Sequence, residues 1–173
     1  LIQYHLHESD GLIQIDAKGV SAHASMPALG VNAAGVTFAC LAKAGFEDDF
    51  VRFYNSHIGT ACDGSGLDLK FQDAYGDLTL CNGIVKTEDG VISATIDIRV
   101  PVTLKSEEVR KMCEDRLEDE NGHIEILGIG DPLFFPRESP LVNALYKAYT
   151  DVTGDTENRS TDGDRWRHLC KIS

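Results

Sequence analysis

The chain is short of positive charge. Sixteen lysines and arginines stand against twenty-eight aspartates and glutamates, a net charge of −12 at neutral pH. Such a surface repels a phosphate backbone and an anionic bilayer alike, so neither nucleic acid nor membrane is an expected partner. Long apolar runs are also missing, and none approaches the roughly 18 residues that a spanning helix needs. Paired cysteines are absent. Cys40, Cys62, Cys81, Cys113 and Cys170 are too far apart for a zinc knuckle or a C-x-x-C redox pair, and their number is odd. Reduced thiols in a cytoplasmic protein are the expectation, with Cys40, Cys81 and Cys113 partly or fully buried. Nothing near Leu1 reads as a signal peptide. The first residues read as the middle of a strand, which predicts a piece cut from a longer chain.

What is present suffices for one ordinary domain: 173 residues, 42% of them hydrophobic. Residues 1–18 predict a hairpin, because Asp10-Gly11 is a strong turn signal between two strand-like runs. His5 and His7 share one face of its first strand. An H-x-H pair can bind zinc, but no third or fourth ligand lies nearby in sequence. Cross-strand polar pairing on a wet face is the expectation.

The stretch Lys18 to Pro27 is an elbow that presents His23 between small residues. A helix is predicted from about Leu29 or Gly30 to Ala44, with Val31, Ala34, Phe38 and Leu41 as its buried stripe. Gly45 ends it. A short helix follows near Asp48–Ile58, with acidic residues in its first turn. Asp63-Gly-Ser-Gly66 reads as a flexible connection. No lysine follows it and no apolar strand leads into it, so it is not a phosphate loop.

Two strands flank the turn Glu88-Asp-Gly90. In the second, Ile92, Ala94, Ile96 and Ile98 point one way, and Ser93, Thr95, Asp97 and Arg99 the other. Arg99 then stands on a polar face at a strand end, where spacing alone predicts a solvated rim charge. Ser106 is the expected cap of a further helix with the stripe Val109, Met112, Cys113 and Leu117. A strand at 123–129 follows. Ser139-Pro140 opens a last helix striped with Leu141, Leu145, Ala148, Tyr149 and Val152, ended by Gly154. Antiparallel hairpins with helices on one face define an α+β fold, and the second half reads as much of a ferredoxin-like unit.

Three ordered motifs carry a family resemblance. Ser21-Ala-His-Ala-Ser-Met-Pro-Ala-Leu-Gly-Val-Asn-Ala-Ala34 resembles the signature of the lid, or dimerisation, domain of dinuclear-zinc peptidases. Aminoacylase, carnosinase and succinyl-diaminopimelate desuccinylase belong to that family, and PepV-type bacterial dipeptidases are the nearest match. Asp77-Leu-Thr-Leu-Cys-Asn-Gly with Ile96-Asp-Ile-Arg-Val-Pro101 resembles the subgroup's second signature. Asp131-Pro-Leu-Phe-Phe-Pro-Arg-Glu-Ser-Pro-Leu-Val142 with Tyr149-Thr-Asp-Val-Thr-Gly-Asp155 resembles its passage back towards the catalytic domain.

The resemblance implies residues 1–155 as a lid-domain fragment: a first half at 1–45, a connector at 46–75 and a second half at 76–155. Residues 156–173 would begin the return to the catalytic domain or form a loose tail. It implies a parent that hydrolyses dipeptides or N-acyl amino acids with two zinc ions held by a catalytic domain. His23 would stabilise the oxyanion, and Arg99 would bind the substrate carboxylate. In most relatives this histidine reaches a neighbouring subunit; in the PepV type an enlarged lid supplies it within one chain.

The departures from the family are as informative. The His-x-Asp motif and Glu-Glu pair that hold the zinc lie upstream of the lid in the family, and neither occurs here. Glu107-Glu108 opens a helix and complements its dipole. Ser160 to Leu169 resembles the family's glycine-rich segment only loosely, and His168 is not read as a zinc ligand. The chain alone, lacking metal ligands, is expected to be inactive, with the catalytic domain as its partner. The competing expectation is a non-catalytic module that forms a homodimer or binds a partner through an open sheet edge. No G-x-S-x-G elbow supports a serine hydrolase.

Overall fold

The structure, a computed structural model, describes residues 3–118, 122–132, 134–136, 138–156 and 167–172. Its first element pair is the predicted hairpin. Strands β1 (Gln3–Ser9) and β2 (Leu12–Lys18) pair antiparallel from Gln3↔Lys18 to Ser9↔Leu12. Asp10 and Gly11 both take positive φ, 55° and 76°, the backbone that a two-residue hairpin turn requires.

A 3₁₀ turn at Pro27–Leu29 precedes helix α1 (Ala33–Lys43). The helix starts later than its apolar spacing suggests. Val20 and Val31 pair as an isolated bridge, so the chain is still extended at Val31. Asn32 is the cap, its side chain accepting from the Gly35 N–H at 3.1 Å. Helix α2 (Asp49–Phe53) is capped by Asp48, whose carboxylate accepts from the Phe50 and Val51 N–H groups. It runs on into one π-helical turn, Tyr54–Ile58.

After a 3₁₀ turn at Ser65–Leu67, the short strands β3 (Gln72–Asp73) and β4 (Gly76–Asp77) pair with each other. Strands β5 (Thr79–Glu88) and β6 (Val91–Arg99) form the second predicted hairpin. Its turn residues Asp89 and Gly90 again take positive φ.

Helix α3 (Ser106–Glu118), strand β7 (Ile124–Gly128), helix α4 (Pro140–Thr153) and strand β8 (Arg167–Ile172) complete the described elements. The larger sheet has the order β5-β6-β8-β7, with antiparallel neighbours throughout. Strands β6 and β7 are thus parallel to each other with β8 between them, the split strand–helix–strand of a ferredoxin-like layer. The α+β class read from the sequence is what the chain adopts.

Two expectations are corrected, and one helix that follows its prediction is left with an open face. Within 156–173, Arg167–Ile172 are not loose but fill the central slot of the sheet, where both edges of β8 find strands to pair with; the remainder, 157–166 and 173, lies outside the described residues. Ser106 does not cap α3 with its hydroxyl, which donates to the Gly130 carbonyl at 2.6 Å. The Asp131 carboxylate accepts the Ser106 N–H instead. Helix α4 has its predicted cap, Ser139, and its left-handed Gly154 end, but its apolar stripe is not covered: Leu145 is 63% and Val152 85% exposed.

One core lies on the apolar face of β5 and β6. Leu80, Ile96 and Ile98 meet Val51, Tyr54 and Ile58 from the connector and Val109, Cys113 and Leu117 from α3. Each fully buried aliphatic side chain of this set contributes on the order of 1.5–3 kcal/mol. The connector is therefore structural. Gly66 lies so close to the His57 carbonyl that a Cβ there would meet it at 2.4 Å, and the His57 ring packs on Phe53 with centroids 4.9 Å apart.

Candidate functional site

The His23 elbow is a closed loop. The Val20 N–H donates to the Val31 carbonyl at 3.1 Å and the Val31 N–H to the Val20 carbonyl at 2.9 Å, which ties the loop at its neck. The neck demands small residues: a Cβ at Gly19 would lie 2.5 Å from the Val31 carbonyl oxygen, and one at Gly30 2.8 Å from that of Val20. Inside the loop the Met26 N–H donates to the His23 carbonyl at 2.8 Å. The His23 side chain is exposed. Its Nδ1 lies 2.8 Å from Ser25 Oγ and accepts from the Ser25 N–H at 3.3 Å. With Nδ1 accepting, a neutral ring carries its proton on Nε2, the nitrogen turned away from the loop's own contacts.

The loop is pinned to the end of the large sheet. Thr79 Oγ1 donates to the Ala24 carbonyl at 2.9 Å. Thr79 is also the direct cross-strand partner of Arg99. One threonine therefore links the two residues singled out from the sequence, 76 positions apart along the chain.

Arg99 itself is not a solvated rim charge. It is 4% exposed. Its Nε donates to Asp97 Oδ1 at 2.7 Å and its Nη2 to Asp97 Oδ2 at 3.3 Å, a two-point ion pair between neighbours on one face of β6. Strand alternation shows which face a side chain takes but not what covers that face, and this is why spacing misjudged it.

A groove of about 1040 Å³ opens between the elbow, the start of α1, the segment after the π turn and strands β5 and β6. Cys62, Cys81, Asn82 and Asp97 line it; His23 and Arg99 are not among its walls. Burial pushes both thiols up, with the Asp63 charge adding to Cys62 and the Asp97 charge to Cys81. These are poor nucleophiles at neutral pH.

A polar chain that sequence reasoning missed runs from the groove wall at Asn32 and Asn82 to the buried Tyr54. Asn32 Nδ2 donates to Tyr54 Oη at 3.0 Å and to the Gly59 carbonyl at 3.1 Å. Tyr54 Oη donates to Asn82 Oδ1 at 2.8 Å. Asn82 Nδ2 donates to the Thr95 carbonyl at 3.0 Å, next to the register shift between Asn82 and Val85. The available signal was Asn82 itself, a polar residue two positions after Leu80 on the core-facing side of β5.

Among the described residues, no three His, Cys, Asp or Glu side chains are gathered, as they stand, to hold a metal ion. No described helix is long and apolar enough to cross a membrane.

Comparison with known proteins gives distant relatives. A protein of Staphylococcus epidermidis named "Putative dipeptidase" is 25% identical over 158 residues, covering 88% of this chain and 34% of its own. One of Staphylococcus haemolyticus, under the same description, is 26% identical over the same shares. One of Staphylococcus aureus is 23% identical over 160 residues. The chain thus spans about a third of the length of the curated relatives it matches. No protein-family model matches it. The chain is a distant relative of proteins that carry the dipeptidase name.

Proposed function

We propose that this chain is the lid of a zinc-dependent dipeptidase, closing over a catalytic domain that holds the metal. The observation that supports it best is the Thr79 link, which sets an exposed imidazole loop beside a buried, oriented guanidinium. In this reading His23 Nε2–H donates to the oxyanion formed when the peptide carbonyl is attacked, and Ser25 keeps the ring's proton on that nitrogen. Arg99, held flat by Asp97, anchors the substrate's terminal carboxylate by sharing its donors or displacing that partner. The zinc ions, when bound by the catalytic domain, supply the activated water; this chain's share is orientation and charge.

The test uses the full-length polypeptide. His23→Ala is expected to lower kcat about 100- to 1000-fold, the usual effect of removing one oxyanion donor, with zinc content unchanged. Unaltered kcat would overturn the role. Arg99→Lys keeps the charge that Asp97 needs but loses the two-point fork. It is expected to raise KM for substrates with a free carboxylate and to leave carboxyl-amidated ones alone; an equal effect on both refutes the assignment.

A second reading, a binding or homodimerisation module, is favoured by the β1–β2 hairpin. It stands as its own two-stranded sheet with Leu12 74% and Ile13 71% exposed. Sedimentation velocity over a wide concentration range checks it, and a strict monomer counts against it.

A further inference from the structure

We propose that the His5/His7 face of the β1–β2 hairpin binds a transition-metal dication, with His5, His7 and Asp16 as protein ligands. The sequence offers two histidines on one strand face and no further ligand near them. The register supplies it from the opposite strand. His5 lies directly across from Asp16, and His7 directly across from Gln14. Opposed Cβ atoms in such a ladder are about 4.5–5.5 Å apart, and same-face neighbours along a strand about 6.6 Å. All three side chains therefore stand on one face of the hairpin as neighbours.

His7 Nε2 stands 3.8 Å from Asp16 Oδ2. That is too long for a hydrogen bond. It is close to the ~3.4 Å that separates two ligands each ~2.1 Å from a tetrahedral ion. The carboxylate is also held by a same-face neighbour: Gln14 Nε2 donates to Asp16 Oδ1 at 2.9 Å and to Oδ2 at 3.1 Å. Outer-shell donors of this kind orient a metal-binding carboxylate.

The side chains as they stand do not yet surround a cation. His5 is exposed on the same strand face, and binding would require its ring to turn towards Asp16 by a change between staggered rotamers. His7 and Asp16 are 66% and 53% exposed, which leaves an entry path. Two imidazole nitrogens, one carboxylate oxygen and a water fill a tetrahedral shell, a donor set that suits zinc and its late transition-metal neighbours. The site lies on a different element from the His23 loop, and it stands or falls independently of the lid reading.

Isothermal titration of the chain with zinc chloride, paired with imidazole NMR, tests the proposal. One zinc per chain is expected, with the His5 and His7 ring signals moving and the His23 signals still. His5→Asn and His7→Asn should each weaken binding by at least the ~10–100-fold that loss of an outer-shell partner already costs. Asp16→Asn should weaken it as well, whereas a simple imidazole–carboxylate pair would show no zinc-dependent shift at all. All three positions are exposed, so circular dichroism is expected to report an unchanged fold. Absence of binding overturns the proposal, and so does binding that survives both histidine replacements, since the thiols would then be the ligands.

Discussion

Replacing Tyr54 by phenylalanine removes a single oxygen atom from the middle of the fold. Tyr54 is fully buried, and its hydroxyl joins Asn32 at the head of α1 to Asn82 on β5. Without it Asn82 Oδ1 loses its donor, and Asn32 Nδ2 keeps only the Gly59 carbonyl. A buried polar group left unpaired costs about 1–3 kcal/mol. Asn32 and Asn82 are half-buried and line the groove, where water can replace part of the lost bonding, so the cost is about 1–2 kcal/mol, still a sizeable share of the ~5–15 kcal/mol by which domains are stable. Urea denaturation followed by circular dichroism is the assay. At a slope of ~2 kcal/mol per molar, the midpoint should fall by about 0.5–1 M with the slope unchanged.

The pH dependence of stability offers a second readout on the same variant. Burial raises the Tyr54 hydroxyl from its ordinary 10.0 to about 12; the Asn32 bond opposes this and the nearby Cys62 adds to it. The folded state thus prefers the neutral phenol. Its contribution is complete below pH 10 and is lost as pH rises from 10 towards about 12, amounting to about 3 kcal/mol. Tyr54→Phe should lack that alkaline loss. A variant within ~0.5 kcal/mol of the parent, with the alkaline loss intact, would refute the view that the three-residue chain bears load.

Gly35→Ala should destabilise the protein although alanine is the better helix former by ~1 kcal/mol. An added Cβ would lie 2.5 Å from the Gly59 carbonyl oxygen, and relieving that contact should cost about 1–3 kcal/mol; a raised midpoint in thermal unfolding would show the packing to be looser. Asp73 should contribute to acid sensitivity. Burial works against its carboxylate, but N–H groups of Tyr75, Thr103 and Gly76 and the Thr103 hydroxyl outweigh it and hold its pKa below the usual 3.8. That stability is present above the unfolded value and fades as pH falls below it, so Asp73→Asn should flatten the stability–pH curve below about pH 4.

Local chemistry made much of the fold legible. Asp10-Gly11 and Asp89-Gly90 supply left-handed backbone at both turns, and Ser139-Pro140 and Gly154 bound α4. The alternation of β6 separates Ile96 and Ile98 from Asp97 and Arg99 as read. The start of α1 was missed because apolar spacing registers Val31 as helical, whereas a long-range bridge to Val20 holds it extended. Tyr54 and Asn82 were missed because a polar pair inside a core declares itself only when its partners meet.

What the chain determines by itself is therefore near-neighbour geometry: turns, caps, faces and the presentation of His23 on a small-residue elbow. Tertiary structure decided what each face meets. It buried Arg99 against Asp97, placed β8 between β6 and β7, and left the apolar stripe of α4 uncovered. It tied the His23 loop to the Arg99 strand through Thr79 and brought Asp16 opposite His5. The physical reason is reach. Backbone torsion and side-chain period act over a few residues, while register and packing join groups that the sequence keeps far apart.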